Sequence, residues 1–360
     1  MKATEIKSID YSVFISSNFY ELTNLFFSSA QQKYSKYVVL LDENTSKHCL
    51  TPLLIEIDYL KDALFIEIES GEKNKTIETC TLIWEQMAKC KADRKTLFIN
   101  LGGGVISDLG GFAASTYKRG IDYVNFPTTL LAQVDASVGG KVGIDLKSLK
   151  NAVGLFSNPK AVFIYPSFLQ SLHNRQLKSG FAEIVKHALI ADKDLWKTLK
   201  NISFNSEKLQ TIIQQSVRIK NQIVKEDFLE KNTRKILNFG HTIGHALESY
   251  SMLHDKKPLL HGEAIYIGML CEAFLSTKVC TLSATDFSEI MFYLTTDFTH
   301  YSIKKSSYTD LLDYMRNDKK NETKHINFSL LSQIGKCEIN QHCSDQLIIE
   351  ALDFYREKCR

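Results

Sequence analysis

The chain has 360 residues, 44% of them hydrophobic and 24% charged, with a formal net charge of +3. That length buries a sizeable core in one large or two ordinary domains, and the small, interspersed charge excludes a nucleic-acid footprint. No apolar run approaches the ~18 residues of a membrane helix, no secretory leader is expected from the first residues, and the eight cysteines, without a CxxC pair, read as reduced thiols of a cytoplasmic protein.

In chain order, residues 12–16 read as a short strand and 20–27 as a helix. The run 37–42 is apolar and ends on Asp42, the pattern of a buried strand, and 64–68 is another. Helical periodicity over 76–90 precedes a strand at 96–100, which runs directly into Gly102-Gly103-Gly104; a further strand, 123–126, stops at Pro127. Strands separated by helices predict βαβ units and a largely parallel sheet. Beyond Pro166 the pattern turns to amphipathic helix, clearest over 208–225 and 262–282. Residues 319–335 read as a loop or short hairpin, and 344–358 as a last helix. The expected fold is α/β: an N-terminal Rossmann-like parallel-sheet domain over residues 1–165, followed by an all-helical C-terminal domain over 166–360.

The triple glycine stands where a strand passes into a helix. Glycines there let backbone amides approach a diphosphate, and the helix N-terminus favours negative charge; the plainer alternative is a tight structural turn. Asp42 and Asn44 follow one parallel-type strand, where an acid accepts ribose hydroxyls, and Glu72 and Lys75 follow another; in open α/β sheets such strand exits share one crevice. The segment 127–143 is dense in small residues around Asp135 and Lys141, which suits close approach to a ligand or a flexible loop. Further on, His241 and His245 stand four apart and, with Arg234 and Asn238, make one polar stripe of about three helical turns. Glu183 and Lys186 stand three apart near a helix start, and His261 opens another helix. Each has an ordinary reading, as packed histidines, a surface ion pair or a cap. Together, one Glu and two His from three helices offer O and N ligands to a divalent cation with open positions.

The motifs GEKNK, GGGVISDLGGFAASTYKRG, FPTTLLAQVDASVGGKVGID, KNAVGLF, SGFAEIVKHALI, LNFGHTIGHALE and HGEAIYIGM follow one another in order. From about Asp42 to Gly335 they make the chain resemble the 3-dehydroquinate synthase family, within the sugar-phosphate cyclase superfamily. The resemblance implies that Glu183, His241 and His261 bind Zn2+ or Co2+. It implies that Asp42, Asn44, Glu72, Lys75, Gly103, Gly104, Val105, Asp108, Thr128, Thr129, Asp135, Lys141 and Lys150 contact NAD, with Phe168 and Ser171 completing that set. Lys141, Asn151, Lys186, Lys220, Arg234, Asn238, His245 and Lys320 (or its neighbour Lys319) match positions that hold the substrate's phosphate and carboxylate. Arg119 matches an arginine lent across a homodimer interface. The chain departs from the family at Ser171-Leu172-His173, where Thr-Leu-Pro is usual, and at Ser70 and Ser107, where Asp and Gly are usual.

The implied substrate is 3-deoxy-D-arabino-heptulosonate 7-phosphate. The implied reaction runs through transient oxidation of a ring carbinol by NAD, elimination of phosphate, return of the hydride and intramolecular aldol closure to 3-dehydroquinate. Three rivals stay open: a sibling cyclase acting on a sugar phosphate without a carboxylate, a metal-dependent polyol dehydrogenase, and a non-catalytic protein that binds NAD and metal.

Overall fold

A computed structural model describes residues 3–147, 149–201, 206–296, 300–317 and 326–358. The chain divides into two compact units, Met1–Leu177 with Ser206–Lys225, and Lys178–Asn205 with Glu226–Arg360. A single break after residue 165 does not describe this partition, because the helix Ser206–Glu226 returns to the first unit. There Gln214 Nε2 donates to Thr4 Oγ1 (3.1 Å) and Asn221 Nδ2 donates to the Lys7 carbonyl (2.9 Å). The amphipathic pattern of that helix announces a buried face without saying what covers it.

The first unit is built on a seven-stranded sheet of β1 (Thr4–Lys7), β2 (Ser12–Ile15), β3 (Lys36–Asp42), β4 (Leu64–Ile68), β5 (Thr96–Gly102), β6 (Tyr123–Pro127) and β9 (Ala161–Ile164). The spatial order is β1-β2-β9-β6-β5-β3-β4, and only the β1–β2 pair is antiparallel. The central strands are apolar throughout because both faces are covered. Val38, Leu40 and Phe98 point into a core with Ile66, Ile83 and Leu109, while Val39, Leu41 and Ile99 point into the other with Leu22, Leu53 and Phe126. The chain runs from β3 outward to β4 and then to β5 on the other side of β3, so the order reverses between β3 and β5. The carboxyl ends of those two strands, at Asp42 and Gly102, frame the crevice where such sheets take ligands. Between β6 and β9, β7 (Lys141–Leu146) and β8 (Leu149–Phe156) form a separate antiparallel hairpin.

The second unit carries most of the helix Asn174–Ala191 and the helices Lys193–Lys200, His241–His254, His261–Val279, Ala284–Thr296, Tyr308–Arg316 and Asp345–Lys358. It is helical but not all-helical: β10 (Asn327–Gln333) and β11 (Lys336–His342) form a hairpin that buries Phe328, Leu330 and Leu331. Helices His241–His254 and His261–Val279 meet on glycines. A Cβ at Gly268 would stand 1.9 Å from the Gly240 carbonyl oxygen and 2.8 Å from the Gly244 nitrogen. Gly268→Ala must push two backbones apart, so it should destabilise the protein by at least the ~1–3 kcal/mol typical of overpacking, read as a lowered midpoint in urea with an unchanged slope.

Candidate metal and cofactor sites

Three side chains of the second unit converge on one point. Glu183, His241 and His261 each offer a ligand atom within 4.8 Å of the other two. Nε2 of His241 and Nε2 of His261 both lie 3.5 Å from the same oxygen, Glu183 Oε1. Two ligands held ~2.0–2.1 Å from one tetrahedral cation stand ~3.3–3.4 Å apart, so these spacings match a cation's ligand shell. The remaining polar atoms are assigned elsewhere. Nδ1 of His241 faces the Phe239 carbonyl (3.1 Å) and Nδ1 of His261 faces Glu248 Oε2 (3.3 Å); both partners only accept, so each Nδ1 is placed to donate, and a cation replacing the hydrogen on Nε2 would meet both rings on their inward edges. Lys186, buried with Glu183, takes Glu183 Oε2, so the ordinary alternative of a surface ion pair does not hold for these two residues. Burial alone would lower the pKa of His261; the Glu248 and Glu183 carboxylates outweigh it and raise it to about 9, so the pocket attracts positive charge.

Caps exchanged between helices fix this arrangement. His261 is the first residue of its helix, and Gly262 N donates to Ser179 Oγ (2.9 Å) on the helix that carries Glu183. His241 is likewise the first residue of its helix, entered through Gly240 in the left-handed region at φ 80. No side chain of its own caps that end; Glu272, from the His261 helix and fully buried, accepts from Gly240 N (2.6 Å) and Ile243 N (3.0 Å). The polar stripe expected from Arg234 to His245 as one helix is therefore broken. Thr233–Asn238 is a 3₁₀ turn, and the helix restarts at His241. His241 and His245 do share a face, with ring centroids 5.0 Å apart. Glu183 lies in mid-helix, not near its start.

In the first unit the helix Gly104–Thr116 begins at the exit of β5, and no side chain caps it. A Cβ at Gly103 would stand 3.0 Å from the Thr129 methyl, and Thr128 N donates to the Gly102 carbonyl (3.0 Å), so the exits of β5 and β6 are joined around uncapped amides. Such a cradle fits a diphosphate. Beside it Lys75, almost fully buried, pairs with Asp108 (2.6 Å) and with Asn151; burial works against its charge, and Asp108 and Glu72 outweigh that and raise its pKa. Lys150 reaches Glu72 (3.4 Å). Asp42 caps the helix Glu43–His48 by accepting from Asn44 N and Thr45 N, both at 2.9 Å. Burial raises its carboxyl in spite of these bonds. Asp135 lies in the π turn Ala132–Ala136 and binds Lys220 through its carboxylate and its carbonyl, each at 2.6 Å.

The other expected residues are scattered between these settings. Buried Arg234 donates from Nη1 to the Phe228 carbonyl (2.6 Å), and Asn238 donates to Glu230 (3.2 Å), in a loop organised by Asp227. Val105 follows the glycines in the first helical turn, and Lys141 opens β7, exposed. Phe168 is packed edge-on against Phe19 and Tyr165 in the core, whereas Ser171 is exposed. Arg119 is exposed at the far end of the Gly104–Thr116 helix. Lys319 and Lys320 lie outside the described residues. Sequence reasoning missed Glu248, Glu272 and Ser179. Glu248 had a signal, since it follows His241 by seven residues and His245 by three; Glu272 interrupts an otherwise apolar helix face.

Comparison with known proteins agrees along most of the chain. Residues 65–179 match the family described as 3-dehydroquinate synthase N-terminal, and residues 180–321 the family described as 3-dehydroquinate synthase C-terminal. The chain is 42% identical over 328 residues to the 3-dehydroquinate synthase of Parabacteroides distasonis, covering 90% of this chain and 92% of that one. It is 39% identical over 352 residues to that of Clostridium acetobutylicum, covering 94% and 95%. Among solved structures it superposes with TM-score 0.83 and 25% identity on 2-deoxy-scyllo-inosose synthase complexed with carbaglucose-6-phosphate, NAD+ and Co2+, covering 99% of each chain. The fold also matches, with TM-score 0.83 and 24% identity, a 2-epi-5-epi-valiolone synthase from Streptomyces hygroscopicus with NAD+ and Zn2+ bound, covering 99% of this chain and 100% of that one.

The interhelix cap yields a direct test. Glu272→Ala strips partners from two buried amides, at ~1–3 kcal/mol each. It should lower stability by roughly 2–4 kcal/mol in denaturant titrations, and amide exchange at Gly240 and Ile243 should rise before the rest of the unit.

Proposed function

This chain belongs to the 3-dehydroquinate synthase family, and from that premise we propose how its own residues divide the family's reaction. The enzyme is an NAD- and divalent-metal-dependent lyase that converts 3-deoxy-D-arabino-heptulosonate 7-phosphate to 3-dehydroquinate and phosphate, a step of aromatic amino acid biosynthesis. When bound, NAD supplies a reversible hydride acceptor, and Zn2+ or Co2+ supplies a Lewis acid that lowers the pKa of a substrate hydroxyl. The observation that carries the assignment of the metal to Glu183, His241 and His261 is the pair of imidazole nitrogens at 3.5 Å from one carboxylate oxygen.

The rest of the reading concerns the chain's own groups. The uncapped amides at Gly103, Gly104 and Val105 hold the NAD diphosphate, with Lys75, Asp108, Thr128 and Thr129 around them. Asp42, Asn44, Glu72, Asp135, Lys150, Phe168 and Ser171 complete the cofactor site. Lys141, Asn151, Lys186, Lys220, Arg234, Asn238 and Lys320 hold the phosphate and carboxylate, and His245 orients the ring beside the metal ligands. A phosphate fixed by that many cations keeps one of its own oxygens within reach of the neighbouring C–H, so the substrate takes up its own proton as phosphate leaves. The free thiols of the described cysteines support a reducing, cytoplasmic setting.

Arg119 motivates a homodimer. Lys118, Arg119 and Gly120 take φ of 48, 68 and 106, a turn that projects Arg119 from the end of its helix opposite to Gly104, ~20 Å along a 13-residue helix. By the family resemblance, this exposed arginine would serve a neighbouring subunit's site. Arg119→Ala should lose activity at least ~100-fold while keeping NAD+ affinity. Mixing it with inactive His241→Ala should restore part of the activity in isolated hybrid dimers; verified hybrids without activity would confine Arg119 to its own subunit.

Redox balance separates this reading from a polyol dehydrogenase. With substrate in excess, phosphate should be released for many turnovers on substoichiometric NAD+, with no growth of NADH absorbance. Arg234→Ala should depress turnover by two or more orders of magnitude and leave NAD+ binding within a few-fold. NADH rising in step with product would establish the dehydrogenase instead.

A further inference from the structure

We propose that Glu248 is a positioning residue for the cation: its carboxylate takes Nδ1 of His261 and so turns Nε2 toward Glu183 and His241. The inference rests on the assignment of Glu183, His241 and His261 as the ligands. Glu248 is buried, 5% exposed, and stands seven residues after His241 on the same helix, so the helix that supplies one ligand also aims another.

The geometry contains a second candidate set, His245, Glu248 and His261, whose ligand atoms also lie within 4.8 Å of one another. The two sets use opposite edges of one imidazole. His261 Nε2 lies 3.5 Å from Glu183 Oε1, and His261 Nδ1 lies 3.3 Å from Glu248 Oε2. A ring nitrogen that binds a cation cannot also donate a hydrogen, so a cation on one edge leaves the other as donor. His241 decides which edge is which. Its Nδ1 is committed to a backbone carbonyl that is fixed by the chain, and its Nε2 faces the same Glu183 oxygen. Two imidazoles thus share one division of labour, Nδ1 outward to an acceptor and Nε2 inward, with Phe239 and Glu248 as the two acceptors. A carboxylate in that place fixes the tautomer and raises the basicity of the ligating nitrogen, and its loss costs ~10–100-fold in metal affinity.

The test measures metal binding by the full-length, metal-stripped protein. Zn2+ affinity is obtained by competition with a chelating dye, and Co2+ absorption reports the ligand field. Glu248→Gln keeps an acceptor for Nδ1 without the charge, and Glu248→Ala keeps neither. The expected order is wild type, then Gln weaker by a few-fold, then Ala weaker by ~10–100-fold, each still binding one cation, with a shifted Co2+ band and unchanged NAD+ affinity. A purely structural role would move the melting temperature and leave the Co2+ band in place. Wild-type affinity in Glu248→Ala overturns the proposal, and so does complete loss of the cation to the level of Glu183→Ala, which would make Glu248 a ligand. If Glu248→Ala does not fold, Gln decides, and affinity equal to wild type overturns it. Failure of the underlying assignment looks different: Glu183→Ala would then bind the cation as tightly as wild type.

Discussion

The packing around the candidate metal site turns on one buried carboxylate. Glu272 is fully buried, and its two oxygens close the amino end of the helix that begins at His241. A helix N-terminus buried without a cap leaves amides unsatisfied in low dielectric, and a buried carboxylate without donors is equally costly; here each cancels the other. The bond also sets register. Because the cap comes from the helix that starts at His261, and that helix is itself capped by Ser179 from the helix of Glu183, the start of each histidine-bearing helix is tied through its backbone amides to the body of another helix. The glycines at positions 240, 244 and 268 let the backbones approach closely enough for these bonds to form.

A second regularity concerns charge. Three lysines in the candidate sites are already paired within the chain: Lys75 with Asp108, Lys220 with Asp135 and Lys186 with Glu183. A buried ammonium alone would shed its proton or unfold its surroundings, so the carboxylates hold these cations ready. In the proposed site, a bound phosphate or carboxylate would exchange one anionic partner for another instead of creating a pair from solvated ions. The desolvation of these lysines is already met in the folded chain, since all three are buried with their partners in place.

Much of this was legible in the residues. Apolar runs closed by Asp42 and Gly102 gave the strands that flank the crevice, since strands covered on both faces must be apolar throughout. The spacing of His241 and His245 correctly put two imidazoles on one face. What stayed hidden has physical causes. The break at Gly240 requires φ of 80, yet its neighbours Ile236 and Ile243 keep a helical rhythm across it. β9 is four residues long and stands next to a proline-rich change of pattern, so it read as a boundary. The hairpin of β7 and β8 is largely exposed along β8, which removes the alternation that marks a half-buried strand. Glu248 and Glu272 act through hydrogen bonds to residues distant in the chain or on another helix, and no local pattern encodes a partner chosen by packing.

The route of the chain between its two units has a bearing on how the protein is made. Thr4 Oγ1 and the Lys7 carbonyl accept from Gln214 and Asn221, some 210 positions further on, and β2 pairs with β9 across some 150 positions. The sheet is therefore complete only once β9 has been made, and the helix Ser206–Glu226 joins the same unit only after the stretch Lys178–Asn205, which belongs to the other unit. Parallel pairing of such distant segments is slow to find and leaves strand edges open during synthesis. Neither unit is a contiguous piece of the chain, so no single cut in the polypeptide separates the two.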